Sequence, residues 1–174
     1  MPNSYKEVLP NIKAFIFDCD GVFTDSTVLL LPGGEQARTM NVRDGLAVQM
    51  AVNKGFHVAI ITGGKSTLVR ERFVGLGVKD VYLKIKNKME VFDRILADKG
   101  LQPEEVMYMG DDLPDVAVLQ KAGLACCPKN SAVEVLEVAQ YISPMDGGKG
   151  CVRDIVEQTM RVQNKWSLSN EQSR

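Results

Sequence analysis

The sequence has 174 residues, a formal net charge of −1 and four cysteines. A chain of this length fits one domain, 1–174, with a core at about 12–165 and a tail at about 144–174. Its near-neutral charge argues against a nucleic-acid partner. It has no apolar run of about 18 residues and no signal peptide, so we expect a cytoplasmic protein with no membrane partner.

Strand-like and helix-like segments alternate along the chain. After a first strand that ends at Phe17, an insertion at about 22–42 predicts a β-hairpin with arms at Val28–Leu31 and Arg38–Val42. The predicted helices after the hairpin run from an Asp44 cap to Gly55, at 66–76, at 87–99, up to Gly123 and at 152–163. The predicted strands between them end at Ile61, lie at 80–83, begin at Val106 and lie at 124–127. The two ends of the chain, 1–10 and 167–174, are expected to be frayed. Repeated βα units predict an α/β fold with a Rossmann-like parallel sheet and helices on both faces.

The first strand ends in two carboxylates and a glycine. Asp18 and Asp20 follow the apolar run at 12–17, and Gly21 comes next. Alternate strand residues point the same way, so the two carboxylates can converge on one point. Buried like charges need a counter-charge such as a metal ion. The alternative interpretation is a polar strand end with Asp20-Gly21 as turn former.

The strand from Val106 also ends in carboxylates, at Asp111, Asp112 and Asp115. Asp112 with Pro114 fits a helix start, as N-cap and first-turn proline, but that explains only one of the aspartates. Two acidic strand ends can meet at the carboxyl edge of a parallel sheet, where such folds bind ligands. Because the ligands would all be oxygens, we expect Mg²⁺ rather than a transition metal.

Two further features lie between these acidic clusters. The strand ending at Ile61 is followed by Thr62, Gly63 and Gly64, whose hydroxyl and backbone N–H groups can bind a phosphate. Lys88 opens a helical stretch and could supply a cation to the same phosphate. Each feature alone also fits a structural role, as a threonine at a strand end and a lysine on a solvated helix face.

Three other patterns are interpreted as structural. Residues 59–66 fit a relaxed P-loop pattern, but Ile60 and Ile61 continue the strand and leave too short a turn to wrap phosphates. His57 is the sole histidine, so we expect no His-based zinc site. The cysteines form no CxxC pair and none has an arginine six positions later, so we interpret them as reduced thiols rather than phosphatase nucleophiles.

Together, and in this order, the four pieces resemble the haloacid dehalogenase superfamily of phosphotransferases. The segments that carry the resemblance are Asp18-Cys19-Asp20-Gly21, Thr62-Gly63, Lys88 and Gly110-Asp111-Asp112-Leu113-Pro114-Asp115. The resemblance implies that Asp18 is the nucleophile and Asp20 the general acid and base. It also implies that the Asp18 and Asp111 carboxylates and the Asp20 carbonyl bind Mg²⁺. Phosphate would be bound by Thr62, Gly63 and Lys88, with Asp112 and Asp115 as supporting residues that orient Lys88 or the metal site.

The intervals between the motifs are short. About 20 residues separate the first motif from the Asp44 helix, and about 20 separate Gly63 from Lys88. We therefore expect no cap domain of the kind that larger members of the superfamily carry. Capless members act on macromolecules or complete the site with a neighbouring subunit.

Three more segments look like the 3-deoxy-D-manno-octulosonate 8-phosphate phosphatase family; they lie at 41–45, 69–77 and 147–154. The resemblance implies a Mg²⁺-dependent phosphomonoesterase that acts on this small sugar acid phosphate in lipopolysaccharide precursor synthesis. Four cationic residues in or near these segments could bind the sugar carboxylate: Arg43, Arg72, Lys149 and Arg153. The alternative for each is a solvated surface side chain.

The chain departs from that family's pattern at three positions. Gly64 stands where an arginine is usual, Lys84 where a glycine is frequent, and Met40 where a phenylalanine is usual. These departures leave open a nine-carbon 2-keto-3-deoxy sugar acid 9-phosphate as substrate. The competing classes are a capless protein or nucleic-acid phosphatase and a non-catalytic carbohydrate-binding module.

The hairpin and the glycine-rich tail lead to a prediction about assembly. The arm Val28–Leu31 is too apolar to stand alone in water, so we expect a closed homo-oligomer, and the resemblance implies a tetramer. Neighbouring hairpins would then complete each site. The flexible segment 147–150 could fold over a site and bring Lys149 or Arg153 towards the sugar carboxylate; a glycine-rich turn before the last helix is the alternative.

Overall fold

The computed structural model describes residues 4–167. Its strands are β1 Ala14–Phe17, β2 Leu29–Leu30, β3 Gln36–Ala37, β4 His57–Ile61, β5 Asp80–Tyr82, β6 Val106–Met109, β7 Leu124–Cys127 and β8 Tyr141–Ile142. Its α-helices are α1 Val42–Asn53, α2 Thr67–Gly75, α3 Lys88–Lys99, α4 Val116–Lys121, α5 Val133–Val138 and α6 Cys151–Val162. The predicted alternation of strands and helices is confirmed.

Six of the strands form one sheet in the order β5-β4-β1-β6-β7-β8. Every pair of neighbours in it is parallel. The register places Phe17 of β1 beside Ile60 on one side and Met109 on the other. The carboxyl ends of the three central strands therefore meet at one edge of the sheet.

Helices cover both faces of this sheet. Successive strand residues point to opposite faces, so Phe15 and Phe17 of β1 pack with α1, α2 and α6. Ala14 and Ile16 pack on the other face with α3, α4 and α5. All four β1 residues are buried, as expected for a parallel strand covered on both sides. The predicted α/β fold is confirmed.

The predicted hairpin is present, but it is shorter than expected. Leu29 pairs with Ala37 and Leu30 with Gln36, in antiparallel register. The prediction that the second arm spans 38–42 is wrong, because Asn41 caps α1 and Val42 already belongs to that helix. The intervals 22–41 and 64–87 contain no separate cap, as predicted.

Three details differ from the sequence expectations. Asn41, not Asp44, is the N-cap of α1, and its side chain accepts a hydrogen bond from the Arg43 N–H (2.8 Å). The start of the described chain is not frayed, since 5–7 and 9–11 form 3₁₀ turns and Leu9 is buried. The short elements α5 and β8 were not predicted. Of the C-terminal segment that was predicted to be frayed, 167–174, all residues after 167 lie outside the described residues.

The four cysteines are buried and unpaired, in agreement with the prediction of free thiols. Within residues 4–167, no helix has the length and apolarity that a bilayer crossing requires.

Candidate active site

The two aspartates that follow β1 point to different partners. The Asp18 N–H continues the ladder to β6 by donating to the Met109 carbonyl (2.9 Å), so the strand itself fixes its position. Its carboxylate lies 3.0 Å from Lys88 Nζ. Asp20, two residues on, forms an ion pair with Arg38 instead. The turn between them thus presents one carboxylate to the interior and one to the rim.

Lys88 lies between two carboxylates. It is the first residue of α3, and Nζ contacts Asp18 Oδ1 at 3.0 Å and Asp115 Oδ1 at 2.7 Å. Tyr108, buried in β6, also donates its hydroxyl to Asp115 Oδ1 (2.6 Å). Asp115 Oδ2 accepts the backbone N–H groups of Asp111 and Asp112. Asp115 therefore bonds both Lys88 and the acidic loop, and its supporting role in the reaction remains a prediction.

The other supporting residue, Asp112, has a local role. It is exposed and caps the turn Leu113–Asp115, with its side chain accepting from the Leu113 N–H (2.8 Å). This matches the alternative interpretation that the sequence suggested for one aspartate of the cluster. Its proposed support of the metal site remains a prediction.

Asp111 has the features expected of a metal ligand. Its Oδ1 is buried without a hydrogen-bond partner. Carboxylate oxygens of Asp18, Asp111 and Asp115 lie within 4.8 Å of one another. Gly21, at φ +87°, makes this approach possible, because a Cβ there would collide with the Asp111 carboxylate. Hard oxygen donors with one unsatisfied buried carboxylate fit a divalent cation such as Mg²⁺.

Electrostatics at the site favour a bound cation. Burial, with a smaller contribution from Asp115, raises the pKa of Asp18 to about 8. Burial and the neighbouring Asp115 and Asp112 raise the pKa of Asp111 to about 7. Burial opposes the charge of Lys88, but the Asp18 and Asp115 carboxylates outweigh it and raise the pKa of Lys88. A cation between Asp18 and Asp111 would lower both acidic pKa values.

The strand β4 ends in the predicted phosphate-binding turn. Thr62 Oγ1 accepts the Gly64 N–H (3.1 Å), so it lies inside the turn. The turn is held from outside by Lys84, whose N–H donates to the Gly64 carbonyl (3.0 Å). Lys84 adopts φ +59°, a conformation that glycine adopts more easily than lysine.

These side chains border one cleft of about 430 Å³. The predicted residues that line it are Asp18, Asp20, Thr62, Gly63, Lys88, Asp111, Asp112 and Asp115. The structure thus brings the predicted catalytic, metal-binding and phosphate-binding residues together. Their chemical roles remain predictions at this point.

The predicted sugar-binding residues lie elsewhere in this chain. Arg43, Arg72 and Lys149 are exposed and are not among the residues lining the cleft. Arg153 Nε pairs with Glu157 (3.0 Å), and its guanidinium lies 5.4 Å from the Trp166 ring centroid. The roles of these four residues in binding the sugar carboxylate remain predictions.

The glycine segment, defined here as 147–150, is packed rather than free to move. The Gly148 N–H donates to the Val22 carbonyl (2.9 Å), and the Gly147 N–H donates to Asn130 Oδ1 (3.0 Å). A Cβ on Gly147 would collide with the Gly21 carbonyl oxygen. In this single chain the segment forms the glycine-rich turn before α6 that was the alternative, and its closure over a site in an oligomer remains a prediction. The segment braces the turn after β1 from behind.

Sequence reasoning missed three contributors to the site. Arg38 pairs with Asp20, Tyr108 binds Asp115, and buried Asp44 accepts the Arg153 N–H at the start of α6 (2.8 Å). A tyrosine in an apolar strand was a usable signal, because a buried hydroxyl needs a partner. The other two contacts join residues far apart in the chain.

Comparison with known proteins also indicates a haloacid dehalogenase-like phosphatase. A family model described as haloacid dehalogenase-like hydrolase matches residues 74–153. The 3-deoxy-D-manno-octulosonate 8-phosphate phosphatase of Escherichia coli K12 is 35% identical over 163 residues, which covers 94% of this chain and 87% of that protein.

Two solved structures of similar proteins have the same fold. The phosphatase of that name from Yersinia pestis superposes with a TM-score of 0.91 at 32% identity, covering 95% of this chain and 89% of the other. The enzyme from Moraxella catarrhalis, solved with magnesium, phosphate and KDO, gives a TM-score of 0.89 at 29% identity, covering 92% of both chains.

A parallel sheet with paired acidic strand ends, a threonine turn and a buried lysine defines a phosphoric monoester hydrolase of the haloacid dehalogenase type. Within that class, the chain belongs to the 3-deoxy-D-manno-octulosonate 8-phosphate phosphatase family.

Proposed function

We propose that the protein hydrolyses 3-deoxy-D-manno-octulosonate 8-phosphate to the free sugar acid and inorganic phosphate, as a step in lipopolysaccharide precursor synthesis. The observation that carries the proposal is the convergence of Asp18, Lys88 and Asp111 beside Thr62 in one cleft. The family supports the choice of sugar acid, since relatives carry that substrate in their names.

The proposed chemistry gives each of the two aspartates its own role. Asp18 Oδ attacks the phosphorus atom, and the bond to the sugar oxygen breaks while Asp20 gives that oxygen a proton. Asp20 then takes a proton from water as the water oxygen attacks the phosphorus and the bond to Asp18 breaks. Lys88 and Thr62 hold the transferring group in line and neutralise its charge.

Mg²⁺ would be held by the Asp18 and Asp111 carboxylates and the Asp20 carbonyl, and it would offset repulsion between Asp18 and the phosphate dianion. The unsatisfied Asp111 oxygen supports this assignment. Gly63 supplies a backbone N–H near the same phosphate, while Asp115 keeps Lys88 in place (2.7 Å).

We also propose that the protein works as a homo-oligomer, with a tetramer as the expected size. Four consecutive apolar residues of the hairpin are at least 39% exposed in the single chain: Val28 at 40%, Leu29 at 65%, Leu30 at 73% and Leu31 at 39%. Burying this arm against other copies would remove it from water. It would also enclose a cleft that no cap covers.

Phosphate release from a substrate panel with Mg²⁺ present tests the proposal. The panel contains the eight-carbon 8-phosphate, a nine-carbon 2-keto-3-deoxy 9-phosphate, a phosphopeptide and 4-nitrophenyl phosphate. We expect the eight-carbon ester to have the highest kcat/KM. Preference for the nine-carbon ester or the phosphopeptide would replace the proposed substrate with that alternative.

Asp18→Asn should abolish turnover, because an amide cannot form the aspartyl-phosphate. The matched control is Asp98→Asn, an exposed aspartate on α3 that should leave the rate unchanged. A chelator in excess should stop the wild-type reaction and added Mg²⁺ should restore it. Turnover by Asp18→Asn at a near-wild-type rate, or full activity in chelator, would contradict the mechanism.

A further inference from the structure

Arg38 makes a two-point contact with the aspartate assigned to proton transfer. Its Nε lies 2.6 Å from Asp20 Oδ1, and its Nη2 lies 3.1 Å from Asp20 Oδ2. The Arg38 side chain is only 8% exposed, while that of Asp20 is 36% exposed. This is the bidentate geometry in which an arginine fixes both the position and the plane of a carboxylate.

The hairpin fixes Arg38 in turn. The residue follows β3 directly, and its Nη1 donates to the Gln36 carbonyl (3.0 Å). Gly64 lies against this ion pair, since a Cβ there would be in ordinary contact with Arg38 Nη2 (3.6 Å) and Asp20 Oδ2 (3.5 Å). The ion pair therefore lies between the hairpin and the phosphate-binding turn.

A proton-transfer group must meet the leaving oxygen at hydrogen-bond distance and at a suitable angle. Asp20 sits on a turn at the rim of the cleft and is partly exposed, so without a partner its side chain would sample several rotamers. A carboxylate has about four lone-pair sites. Arg38 occupies one on each oxygen, which leaves each oxygen able to exchange a proton with the substrate or water.

We propose that Arg38 is a positioning residue that holds the Asp20 carboxylate ready for proton transfer to the leaving oxygen. The inference rests on the proposed function, because it requires Asp20 to act as acid and base. It makes the hairpin part of the catalytic apparatus through a contact within the same chain. A different role, in which Arg38 binds the phosphate directly, predicts that its loss slows substrates with good and poor leaving groups equally.

The test compares a substrate that needs an acid with one that does not. The sugar acid leaves the 8-phosphate as an alcohol, and its oxygen requires the Asp20 proton, whereas 4-nitrophenolate leaves the aryl phosphate without one. First-turnover rates are measured with enzyme in excess. Arg38→Gln should slow the sugar phosphate at least about tenfold, with complete loss of acid catalysis, about 10²–10⁴-fold, as the upper limit. The aryl phosphate should stay within about threefold of wild type.

Three variants accompany Arg38→Gln. Arg38→Lys keeps the charge but loses the two-point contact, so it should favour the aryl phosphate over the sugar phosphate less strongly than Arg38→Gln does. Arg70→Gln removes an arginine on α2 whose guanidinium bonds the Val81 carbonyl, and should leave both rates unchanged. Asp20→Asn should show the largest difference between the two substrates, with a strongly reduced rate on the sugar phosphate and a nearly unchanged first-turnover rate on the aryl phosphate.

Equal slowing of both substrates by Arg38→Gln, or a raised KM with unchanged kcat, would overturn the positioning role and indicate phosphate binding or a purely structural contact. Unchanged rates on both substrates would overturn it as well. If Asp20→Asn itself shows no dependence on the leaving group, the proposed acid role of Asp20 fails, and this is a separate result from failure at Arg38.

Discussion

The hairpin and the glycine segment both lie beside the turn that follows β1, but they contact it through different groups. The hairpin reaches the turn through one side chain, Arg38, on the Asp20 carboxylate. The glycine segment reaches it through the backbone, with the Gly148 N–H on the Val22 carbonyl (2.9 Å). The thiol of Cys151, the residue after the segment, donates to the same oxygen (3.2 Å). The first contact orients a reacting group, and the second sets the shape of the turn.

The hairpin is also more exposed to solvent than the glycine segment. The outer arm of the hairpin is largely in solvent, and Leu30 is 73% exposed. Gly147 is buried and leads into α6, whose start is capped by buried Asp44 from α1. A segment with exposed apolar side chains can change partners without loss of the core. A segment packed through its backbone cannot, so substitutions should affect folding in the glycine segment and assembly or catalysis in the hairpin.

The largest expected effect is that of Gly147→Ala. The new Cβ would meet the Gly21 and Thr24 carbonyl oxygens, which belong to the backbone and cannot turn away. Overpacking typically costs about 1–3 kcal/mol, and we expect a value at or above the top of that range. Denaturant unfolding measures the loss, and activity should fall with it, because the Asp20 turn is displaced.

Gly75→Ala is the matched control for this substitution. Gly75 ends α2, and a Cβ there would meet nothing within 4 Å. We expect a change within about 0.5 kcal/mol. If Gly147→Ala were as neutral as this control, the glycine segment would not be packed as the structure has it.

The central strands and their acidic ends could be predicted because the signals are local. An apolar run followed by Asp18 and Asp20 contains both the strand and its functional end, and the parallel sheet then brings it beside Asp111. The parallel direction of the strands follows from repeated βα units. The positions of Thr62 and Lys88 could be predicted for the same reason, since each lies at the start or end of a regular element.

The contacts made by loops could not be predicted in this way. Asp20 and Arg38 are 18 residues apart and Asp44 and Arg153 are 109 apart, so no periodicity joins them. The packing of the glycine segment is a further example, because glycine permits close backbone packing as well as flexibility. Composition does not distinguish between these two uses of glycine; only the neighbouring backbone does.

A smaller effect is expected at Asp44. Asp44→Ala removes the carboxylate that accepts the Arg153 N–H at the start of α6, and loss of such a cap costs about 0.5–2 kcal/mol. Unfolding of the variant by denaturant measures this cost. An unchanged stability would mean that α6 and the glycine segment before it do not depend on Asp44.

Asp44→Asn adds a pH test with a definite sign. Burial raises the pKa of Asp44 in the folded protein above its ordinary value of 3.8. The stability contributed by this group is therefore complete below that value and is lost as pH rises through the folded pKa. The stability of the wild type minus that of Asp44→Asn should decrease as pH rises above about 4. A difference that increases with pH would contradict the buried environment.

The smallest effect on folding, and the sharpest contrast with the glycine segment, is expected for Leu30→Ser in the hairpin. The Leu30 side chain is mostly in solvent in the single chain, so its removal should change the stability of the isolated subunit by less than about 0.5 kcal/mol. If the hairpin arm is buried between copies, the same change should weaken association. Sedimentation at several protein concentrations measures this shift, and kcat/KM is followed in parallel.

Val133→Ser is the matched control, because Val133 is 66% exposed on α5, on the opposite face of the sheet from α1, α2 and α6. It should alter neither association nor activity. A Leu30→Ser protein that associates like the wild type would remove the hairpin arm from the interface. A dissociated Leu30→Ser protein with full activity would show that each chain holds a complete site, with Arg38 on Asp20 requiring no neighbour to keep it there.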